Sequence, residues 1–284
     1  MVRPPLRSML SVPGISERFM AKARAVPADA IAFDLEDSVA AVDKAAARDL
    51  VARTLTEFPP EGRELWVRPN ALDSGLLEAD LDAVVATGLD GLHLPKADDA
   101  ATVAQVDHYL TYLEAVRGLP AGSTLLMAWI ESAAGLSRVE EICRSSPRLV
   151  GVSLGSEDYT ASLGVQRTRV GAELAHARGR LANAAAAAGI RAIDGPEADF
   201  RDPRLFARQA RVARGVGFGG KFCIHPDQVA LAHEVFAPTE RERARALRVV
   251  GAFEAAGEGA GAIAVDGVMV DRPVYLRALR LLAR

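Results

Sequence analysis

Two acidic side chains follow neighbouring apolar runs in the middle of the chain. Glu131 comes directly after Leu125–Ile130, and Asp158 comes shortly after Leu149–Leu154. Short apolar runs of this kind are typical of buried strands, and carboxylates at the ends of paired strands start about 5 Å apart. Oxygen ligands without a His/Cys cluster favour Mg²⁺ or Mn²⁺ over zinc. The alternative is two rim carboxylates paired with arginines.

Other polar residues follow further apolar runs in the same way. They are Asp34, Glu36, Asp37, Arg68, Lys96, Asp194 and His225. If all these runs are parallel strands, their carboxyl ends meet on one face, where barrel enzymes carry their catalytic groups. A surplus of carboxylates on one rim must be offset by a cation or by paired bases, since like charges repel.

Arg68 precedes Pro69-Asn70, so a stiffened backbone follows its side chain. A planar guanidinium at this position could hold a carboxylate or stabilise a developing enolate oxygen. A salt bridge to Glu36 or Asp37 is the structural alternative, and the two roles are compatible.

Lys96 and His225 each have two interpretations. Lys96 could form a Schiff base, which requires a lowered pKa, but Asp98 and Asp99 nearby favour a paired lysine. His225 could act as a base, but no acid is adjacent in the sequence, which favours a structural or ligand-contacting role.

Arg18 and Lys22 are four residues apart in a predicted helix that follows Pro13 and Gly14. This spacing puts both cations on one helix face near its start, which suits anionic groups such as phosphates. A solvated helix face is the alternative.

The elements that carry these residues alternate regularly. Eight apolar runs, each followed by a helix or by a connection long enough to hold one, predict a parallel (β/α)8 TIM barrel over residues 1–236. A doubly wound open sheet is the alternative. Residues 237–284 predict a C-terminal extension with a helix at 239–256, a hairpin turning at Asp266-Gly267 and a helix at 273–282. We expect this extension to cover the barrel mouth or the active site of a neighbouring subunit.

The composition excludes several classes of partner. The 284 residues are half hydrophobic and one quarter charged, with a net charge of −3, so we expect no nucleic-acid or membrane partner. The first residues do not resemble a signal peptide, which predicts a cytoplasmic protein. Cys143 and Cys223 lie in apolar surroundings and are expected to be buried structural thiols.

Eight motifs together resemble the citrate lyase β subunit-like branch of the HpcH/HpaI aldolase superfamily. They are RSMLSVPG at 7–14, FDLEDSV at 33–39, VRPN at 67–70, LPKADDA at 94–100, WIESAAG at 129–135, LGSEDY at 154–159, GKFCIHPDQ at 220–228 and VMVDRPV at 268–274. The order is that of the family and covers nearly the whole chain. Departures are Ser156 for a frequent alanine, Pro69 for a frequent isoleucine or valine, and Arg169-Val170-Gly171 for a common Ser-Pro-Glu-Gly.

The resemblance implies a trimeric or hexameric barrel that binds Mg²⁺ and a CoA thioester and makes or breaks a carbon–carbon bond. It implies that Glu131 and Asp158 are metal ligands and that Arg68 contacts the substrate carboxylate or thioester oxygen. It also implies that Asp271 acts as an acid–base group in a neighbouring subunit's site. Asp37 is the alternative base, and Glu36 joins the catalytic group beside Arg68. The CoA would lie against Pro13, Gly14, Arg18, Lys22, Ile224 and His225.

The segment IDGPEADFRD at 193–202 looks closest to malyl-CoA and citramalyl-CoA lyases. We therefore expect a Mg²⁺-dependent lyase that cleaves a 3-hydroxyacyl-CoA to acetyl-CoA and a 2-oxo acid. One alternative is a citrate lyase β subunit acting on a citryl thioester within a complex. Others are a malate or citramalate synthase, with hydrolysis added, and a non-catalytic CoA-ester-binding protein.

Overall fold

A closed barrel of eight parallel strands forms the centre of the molecule in the computed structural model, which describes residues 5–57, 62–257 and 261–283. Each strand pairs with the next, and β8 pairs with β1. The strands are β1 Ser8–Pro13, β2 Ala30–Asp34, β3 Glu64–Arg68, β4 Gly91–Leu94, β5 Leu125–Ile130, β6 Leu149–Leu154, β7 Arg191–Asp194 and β8 Gly220–Cys223. The predicted (β/α)8 barrel is confirmed, and closure of the sheet excludes the doubly wound alternative.

Helices follow the strands and cover the outside of the barrel. They are α1 Glu17–Ala23, α2 Lys44–Glu57, α3 Leu77–Val84, α4 Ala100–Arg117, α5 Ala133–Ser137, α6 Val139–Ile142, α7 Ser156–Ser162, α8 Ala175–Ala188, α9 Pro203–Val216 and α10 Pro226–Phe236. Polar N-caps start several of them. Asp99 accepts a hydrogen bond from the N–H of Thr102 at the start of α4, and Asp202 does the same for Leu205 at the start of α9.

The sequence predicts the eighth strand at residues 222–224, but β8 begins two residues earlier, at Gly220. Gly220 starts β8, where its backbone lies against the carbonyl of Leu6, and a Cβ at this position would overlap that oxygen. Close approach of two backbones needs glycine, and glycine also hides the strand from a search for apolar runs.

Two hydrophobic cores hold the barrel. The larger lies between the strands and the surrounding helices, and a smaller one fills the barrel interior with Met9, Trp66, Met127, Trp129 and Phe222 among others. The inward-facing layer is therefore packed rather than open, as in other barrels of this size.

Both cysteines are buried free thiols, as predicted. Burial raises the pKa of each to about 12, so neither is a reactive thiolate at neutral pH. None of the helices within the described ranges has the apolar length required to reach across a lipid bilayer.

The C-terminal extension has a small core of its own. It comprises α11 Glu240–Ala255, the antiparallel strands β9 Ala262–Val265 and β10 Val268–Asp271, and α12 Arg272–Leu282. The predicted hairpin turn is confirmed at Asp266 and Gly267, which both have positive φ.

The extension contacts the barrel beside the amino-terminal ends of the strands. Arg214 of α9 pairs with Glu242 of α11 at 2.8 Å. Arg243 and Arg280 line a cavity together with residues that begin β1, β6 and β7. These contacts do not cover the mouth of the chain's own barrel, which was one of the two predicted positions.

A buried ion-pair network fastens α4 to the start of β6. Both terminal nitrogens of Arg148 lie 2.7 Å from the carboxylate oxygens of Glu114, and Nε donates to Asp107 at 2.6 Å. Backbone N–H groups of Gly122 and Thr124 also donate to Glu114. Burial alone would raise the pKa of Glu114, but the hydrogen bonds from Arg148 and the backbone lower it to about 2.

Replacing Glu114 by Gln should lower the free energy of unfolding by about 3–5 kcal/mol at pH 7, because the Arg148 charge would stay buried without its partner. The folded-state pKa lies below the ordinary 4.5, so the contribution of Glu114 is complete above that value and is lost as the pH falls from 4.5 toward 2. Urea denaturation at several pH values measures both effects.

The control is Glu140→Gln, which removes an exposed pair with Arg180 at 2.9 Å and should cost less than about 1 kcal/mol. Equal losses in the two variants, or a Glu114→Gln loss that does not shrink in acid, would contradict the structural role of the network.

Candidate active site

Arg68 is held at the carboxyl end of β3 by the neighbouring strand. Its Nε and Nη2 each donate to one carboxylate oxygen of Asp34 at 2.7 Å, and the two residues are paired in the β2–β3 register. Burial opposes both charges, yet these hydrogen bonds raise the pKa of Arg68 and lower that of Asp34. The bidentate pair therefore fixes a permanent cation at the barrel rim.

The same carboxylate shapes the loop that follows β2. Asp34 accepts hydrogen bonds from the N–H groups of Glu36 at 2.9 Å and Ser38 at 3.1 Å. Lys44 Nζ donates to the carbonyls of Leu35 and Glu36 at 2.7 Å each. The backbone at Glu36 is thus fixed from two sides, which aims its side chain at Arg68.

Glu36 is a buried carboxylate with few partners. One oxygen lies 3.1 Å from Arg68 Nη1 and the other 3.6 Å from Lys96 Nζ, but neither has a partner in hydrogen-bond geometry among the described residues. Burial raises the pKa of Glu36 to about 7, although Arg68 acts against this. Asp37 is more exposed and lies 3.3 Å from Arg68 Nη1.

Glu131 directly follows β5, and only 4% of the residue is exposed. It makes no hydrogen bond or ion pair with any residue in the described ranges. Burial raises its pKa to about 8, and the negative charges of Glu36 and Asp158 contribute in the same direction. A carboxylate in this position is unstable as an anion unless a cation comes to it.

The negative charge of Asp158 acts on Glu131, but Asp158 does not end a strand as predicted. It sits in the first turn of α7, because β6 stops at Leu154 and Ser156 already begins the helix. Asp158 is exposed, whereas Ser156 is buried and accepts a hydrogen bond from Arg167 at 2.6 Å. Arg167 also pairs with Glu157 at 3.0 Å. Serine in place of the frequent alanine thus supplies an acceptor for Arg167.

Trp129 forms the floor beneath Arg68. The guanidinium carbon lies 5.1 Å from the centre of its ring, at a distance typical of a cation–π contact. Gly155 packs against the other side, where a Cβ would overlap Trp129 Nε1 and lie 2.5 Å from Cγ of Glu131. The indole N–H is buried without a partner among the described residues.

Lys96 adopts a left-handed backbone conformation with φ of 49°, which is uncommon for a lysine. Partial burial acts to lower its pKa, but Glu36 raises it overall. A Schiff-base lysine needs the opposite shift, so the structure favours the paired lysine. A cavity of 360 Å³ opens beside this cluster between Glu36, Asp37, Lys44, Asn70 and Lys96.

The predicted CoA-contacting residues form a second group on adjacent strands. Gly14 donates from its N–H to the carbonyl of Asp34 at 2.8 Å, immediately after Pro13 ends β1. His225 caps α10, and its ring stacks on Phe200 at 5.4 Å. Arg18, Lys22 and Ile224 are exposed. The carboxyl ends of β7, β8 and β1 thus carry cations beside exposed apolar groups, among them Ile15, Phe19, Phe200 and Ile224.

Asp271 is not brought to the rim cluster by contacts within the chain. It caps α12 in the extension, and its side chain accepts a hydrogen bond from the N–H of Val274 at 3.2 Å.

Asp194 ends β7 as predicted, but two buried cations pair with it, so it is not available as a free rim carboxylate. It is fully buried at the end of β7, with Arg178 at 3.0 Å and Lys221 Nζ at 2.5 Å. Sequence reasoning also missed the roles of Asp34 as the anchor of Arg68 and of Trp129 as its support. The alignment of Asp34 with Arg68 on paired strands was the available signal for the first.

The rim carboxylates fit a hard divalent cation. No group of three or more His, Cys, Asp or Glu side chains in the described ranges is arranged to hold a metal. Mg²⁺, however, is commonly bound by one or two carboxylates while it keeps several waters. Glu131, buried and without a hydrogen-bond partner, together with the nearby Asp158, matches that pattern.

The chain is similar to one well-defined group of proteins. The family model described as HpcH/HpaI aldolase/citrate lyase matches residues 7–226. The citrate lyase subunit beta of Escherichia coli is 43% identical over 279 residues, covering 98% of this chain and 92% of the relative. The L-malyl-CoA/beta-methylmalyl-CoA lyase of Cereibacter sphaeroides is 38% identical over 288 residues, covering 94% of this chain and 90% of the relative.

A solved structure shows the same fold over the full length. CitE from Mycobacterium tuberculosis, in complex with magnesium, acetoacetate and coenzyme A, has a TM-score of 0.80 and 33% identity. The alignment covers 100% of both chains.

Replacing Gly155 by Ala should displace Trp129 and Glu131, because the added Cβ overlaps both side chains. We expect a loss of about 1–3 kcal/mol in unfolding free energy and a changed tryptophan emission, since the chain has two tryptophans. Urea denaturation followed by fluorescence measures both quantities.

Gly179→Ala is the matched control. It lies within α8 with no atom within 4 Å of the added Cβ, and it should be neutral or stabilising by up to about 1 kcal/mol. A Gly155→Ala variant as stable as the Gly179→Ala variant, with unchanged emission, would contradict the close packing at the rim.

Proposed function

The chain belongs to the HpcH/HpaI aldolase/citrate lyase family, and from this membership we propose a Mg²⁺-dependent carbon–carbon lyase. The substrate is a 3-hydroxyacyl-CoA of the malyl-CoA or citramalyl-CoA type, and the products are acetyl-CoA and a 2-oxo acid. One observation carries the proposal: Glu131 is buried without an ion pair, near an Arg68 whose guanidinium is held in place by Asp34.

Glu131 and Asp158 would hold the cation, with Mn²⁺ as a possible substitute for Mg²⁺. When bound, the ion supplies a Lewis acid for the hydroxyl and carboxylate oxygens of the substrate. The magnesium in the M. tuberculosis CitE complexes supports this assignment. Burial raises the pKa of Glu131 to about 8, so Glu131 would have to give up a proton to hold the ion at neutral pH.

Arg68 would stabilise the thioester oxygen as negative charge develops on it. Two of its nitrogens are committed to Asp34, so the guanidinium does not need to reorganise during the reaction. A preoriented donor in a partly buried site gives more stabilisation than the same contact in water. Trp129 restricts the plane of the guanidinium from below.

Cleavage transfers one proton and breaks one carbon–carbon bond. A carboxylate removes the hydroxyl proton, the C–O bond becomes a carbonyl, and the electrons of the broken bond pass to the thioester as an enolate. Protonation of the enolate carbon then gives acetyl-CoA. Asp37, 3.3 Å from Arg68, is the base available within the chain, and Asp271 of a neighbouring subunit is the base that family resemblance suggests. Glu36, whose pKa is about 7, can hold a proton beside Arg68.

The CoA portion would lie across the carboxyl ends of β8 and β1. Arg18 and Lys22 suit its phosphates, and the exposed Ile224 and the stacked His225 and Phe200 suit its apolar and ring groups. Pro13 and Gly14 form the turn between these two surfaces. Coenzyme A bound to M. tuberculosis CitE supports a site of this kind.

A citrate lyase β subunit, acting on a citryl thioester within a complex, is the second candidate. The higher identity to citrate lyase subunit beta, 43% against 38% for the malyl-CoA lyase, favours it. A thioester on an acyl carrier protein would be cleaved and the free CoA esters would not.

The test is turnover with Mg²⁺ and a panel of malyl-, citramalyl-, 3-hydroxy-3-methylglutaryl- and citryl-CoA esters, with detection of 2-oxo acid, acetoacetate and acyl-CoA. Glu131→Gln and Asp158→Asn should each lower activity at least about 100-fold and weaken Mn²⁺ binding measured calorimetrically.

Glu157→Gln is the matched control, since this adjacent carboxylate pairs with Arg167 rather than with the proposed ion. Activity that survives the Glu131 substitution would refute the metal site. Intact Mn²⁺ binding without turnover of any CoA ester would refute the CoA-dependent lyase. Cleavage of a citryl thioester on an acyl carrier protein would then favour the citrate lyase β subunit, and no cleavage of that thioester would favour a CoA-ester-binding protein.

The contribution of Asp271 across subunits predicts complementation. Arg68→Ala and Asp271→Ala should each be inactive alone, whereas co-expressed mixtures should regain activity because some sites combine wild-type residues from two chains. The mixture is compared with co-expressed Arg68→Ala and Glu131→Gln, which lie in the same site and should not complement. Equal activity of both mixtures, or an active Asp271→Ala variant, would exclude the shared site.

A further inference from the structure

A second, larger cavity lies at the opposite end of the barrel from Arg68 and Glu131. Its volume is about 1350 Å³, and its walls come from the beginnings of β1, β6 and β7, from Gly219 just before β8, and from α11 and α12 of the extension. Cavities of 300–1,000 Å³ or more commonly bind small molecules. The proposed reaction makes no use of this cavity.

The charges on its walls have a single sign. Five arginines line it among the described residues, and no aspartate or glutamate does: they are Arg7, Arg144, Arg191, Arg243 and Arg280. Arg7 and Arg191 are neutralised by Asp29 at 2.7 Å and by Glu64 at 2.9 Å. Arg144, Arg243 and Arg280 have no ion pair with any residue in the described ranges.

Three arginines without an ion pair to any described residue therefore line one open cavity. Like charges that share a cavity repel, and the planar forks of arginine match phosphate and carboxylate groups in two-point contacts. Leu6, Val150 and Phe236 supply apolar wall beside the arginines. A small anion is the occupant that this combination would stabilise.

We propose that the cavity binds a small molecule that carries two or more negative charges on phosphate or carboxylate groups. Arg144 contributes from the barrel, whereas Arg243 and Arg280 contribute from the extension, so the ligand would bridge the two parts of the chain. Because the extension also carries Asp271, occupancy would fix the position of that residue relative to the barrel. The binding site itself does not depend on the proposed lyase activity.

The experiment measures binding of pyrophosphate and of citrate to the metal-free protein by calorimetry, at constant ionic strength set with NaCl. The double variant Arg243→Gln/Arg280→Gln should weaken binding of at least one probe about tenfold or more, since each charge-assisted contact contributes substantially. The phosphate and carboxylate probes show which chemistry the site prefers.

Two controls separate this cavity from other anion sites. Arg245→Gln/Arg277→Gln removes two exposed arginines from the same helices that do not line the cavity, and it should leave binding unchanged. Arg68→Gln should also leave it unchanged, because Arg68 lies at the other end of the barrel. Loss of binding in either control, or no loss in the cavity variant, would overturn the proposal.

A second copy of the chain is the competing occupant of the cavity. In that case neither probe would bind, and the cavity variant would dissociate the oligomer in sedimentation experiments. That result would overturn the proposal, whereas saturable, arginine-dependent binding in an unchanged oligomer would support it.

Discussion

The bidentate pair between Asp34 and Arg68 is the interaction on which the rim depends. It joins the ends of β2 and β3, and Asp34 also fixes the loop that carries Glu36. Without it, Arg68 would keep only its longer contacts through Nη1, at 3.1 Å to Glu36 and 3.3 Å to Asp37. The pair thus fixes the positive charge of Arg68 at the ends of two adjacent strands. The acidic side chains around Arg68 carry more negative charge than this one cation can neutralise.

Asp194 and Glu131 differ in how far nearby cations neutralise their negative charge. Asp194 ends β7 and Glu131 directly follows β5, and both are buried, but Asp194 has two cations from Arg178 and Lys221 within 3.0 Å. Among the described residues no cation lies that close to Glu131, and burial raises its pKa to about 8, although Arg68 acts against this. A fully paired buried carboxylate stabilises or positions structure. A buried carboxylate without a pair is stable as an anion only when a cation binds to it. The carboxyl ends of β5 and β6 therefore suit a binding site rather than a structural ion pair.

The barrel could be predicted from the sequence because the patterns that indicate its strands lie within short stretches of the chain. Apolar runs ending in polar residues locate β2, β4, β5 and β6 at the residues where the structure has them. It was insufficient for Asp194, because the pattern of an apolar run followed by Asp and Gly does not show that Lys221 points inward from β8. It likewise placed Asp158 at the end of the sixth strand, whereas Ser156 begins α7 and Asp158 lies in the first turn of that helix. Burial and pairing depend on neighbours distant in sequence, and only the folded chain brings those neighbours together.

The extension has its own core and meets the barrel through specific polar contacts such as the 2.8 Å pair between Arg214 and Glu242. Interfaces of this kind can adjust more readily than a shared hydrophobic core. Asp271 lies in the C-terminal extension, on one side of this interface, whereas Arg68 and Glu131 lie in the barrel. If Asp271 completes a neighbouring site, the orientation of the extension sets the distance between acid and substrate. A ligand bound by arginines from the barrel and the extension would therefore change the position of Asp271 and, through it, the reaction rate. It would do so without contacting the reacting atoms.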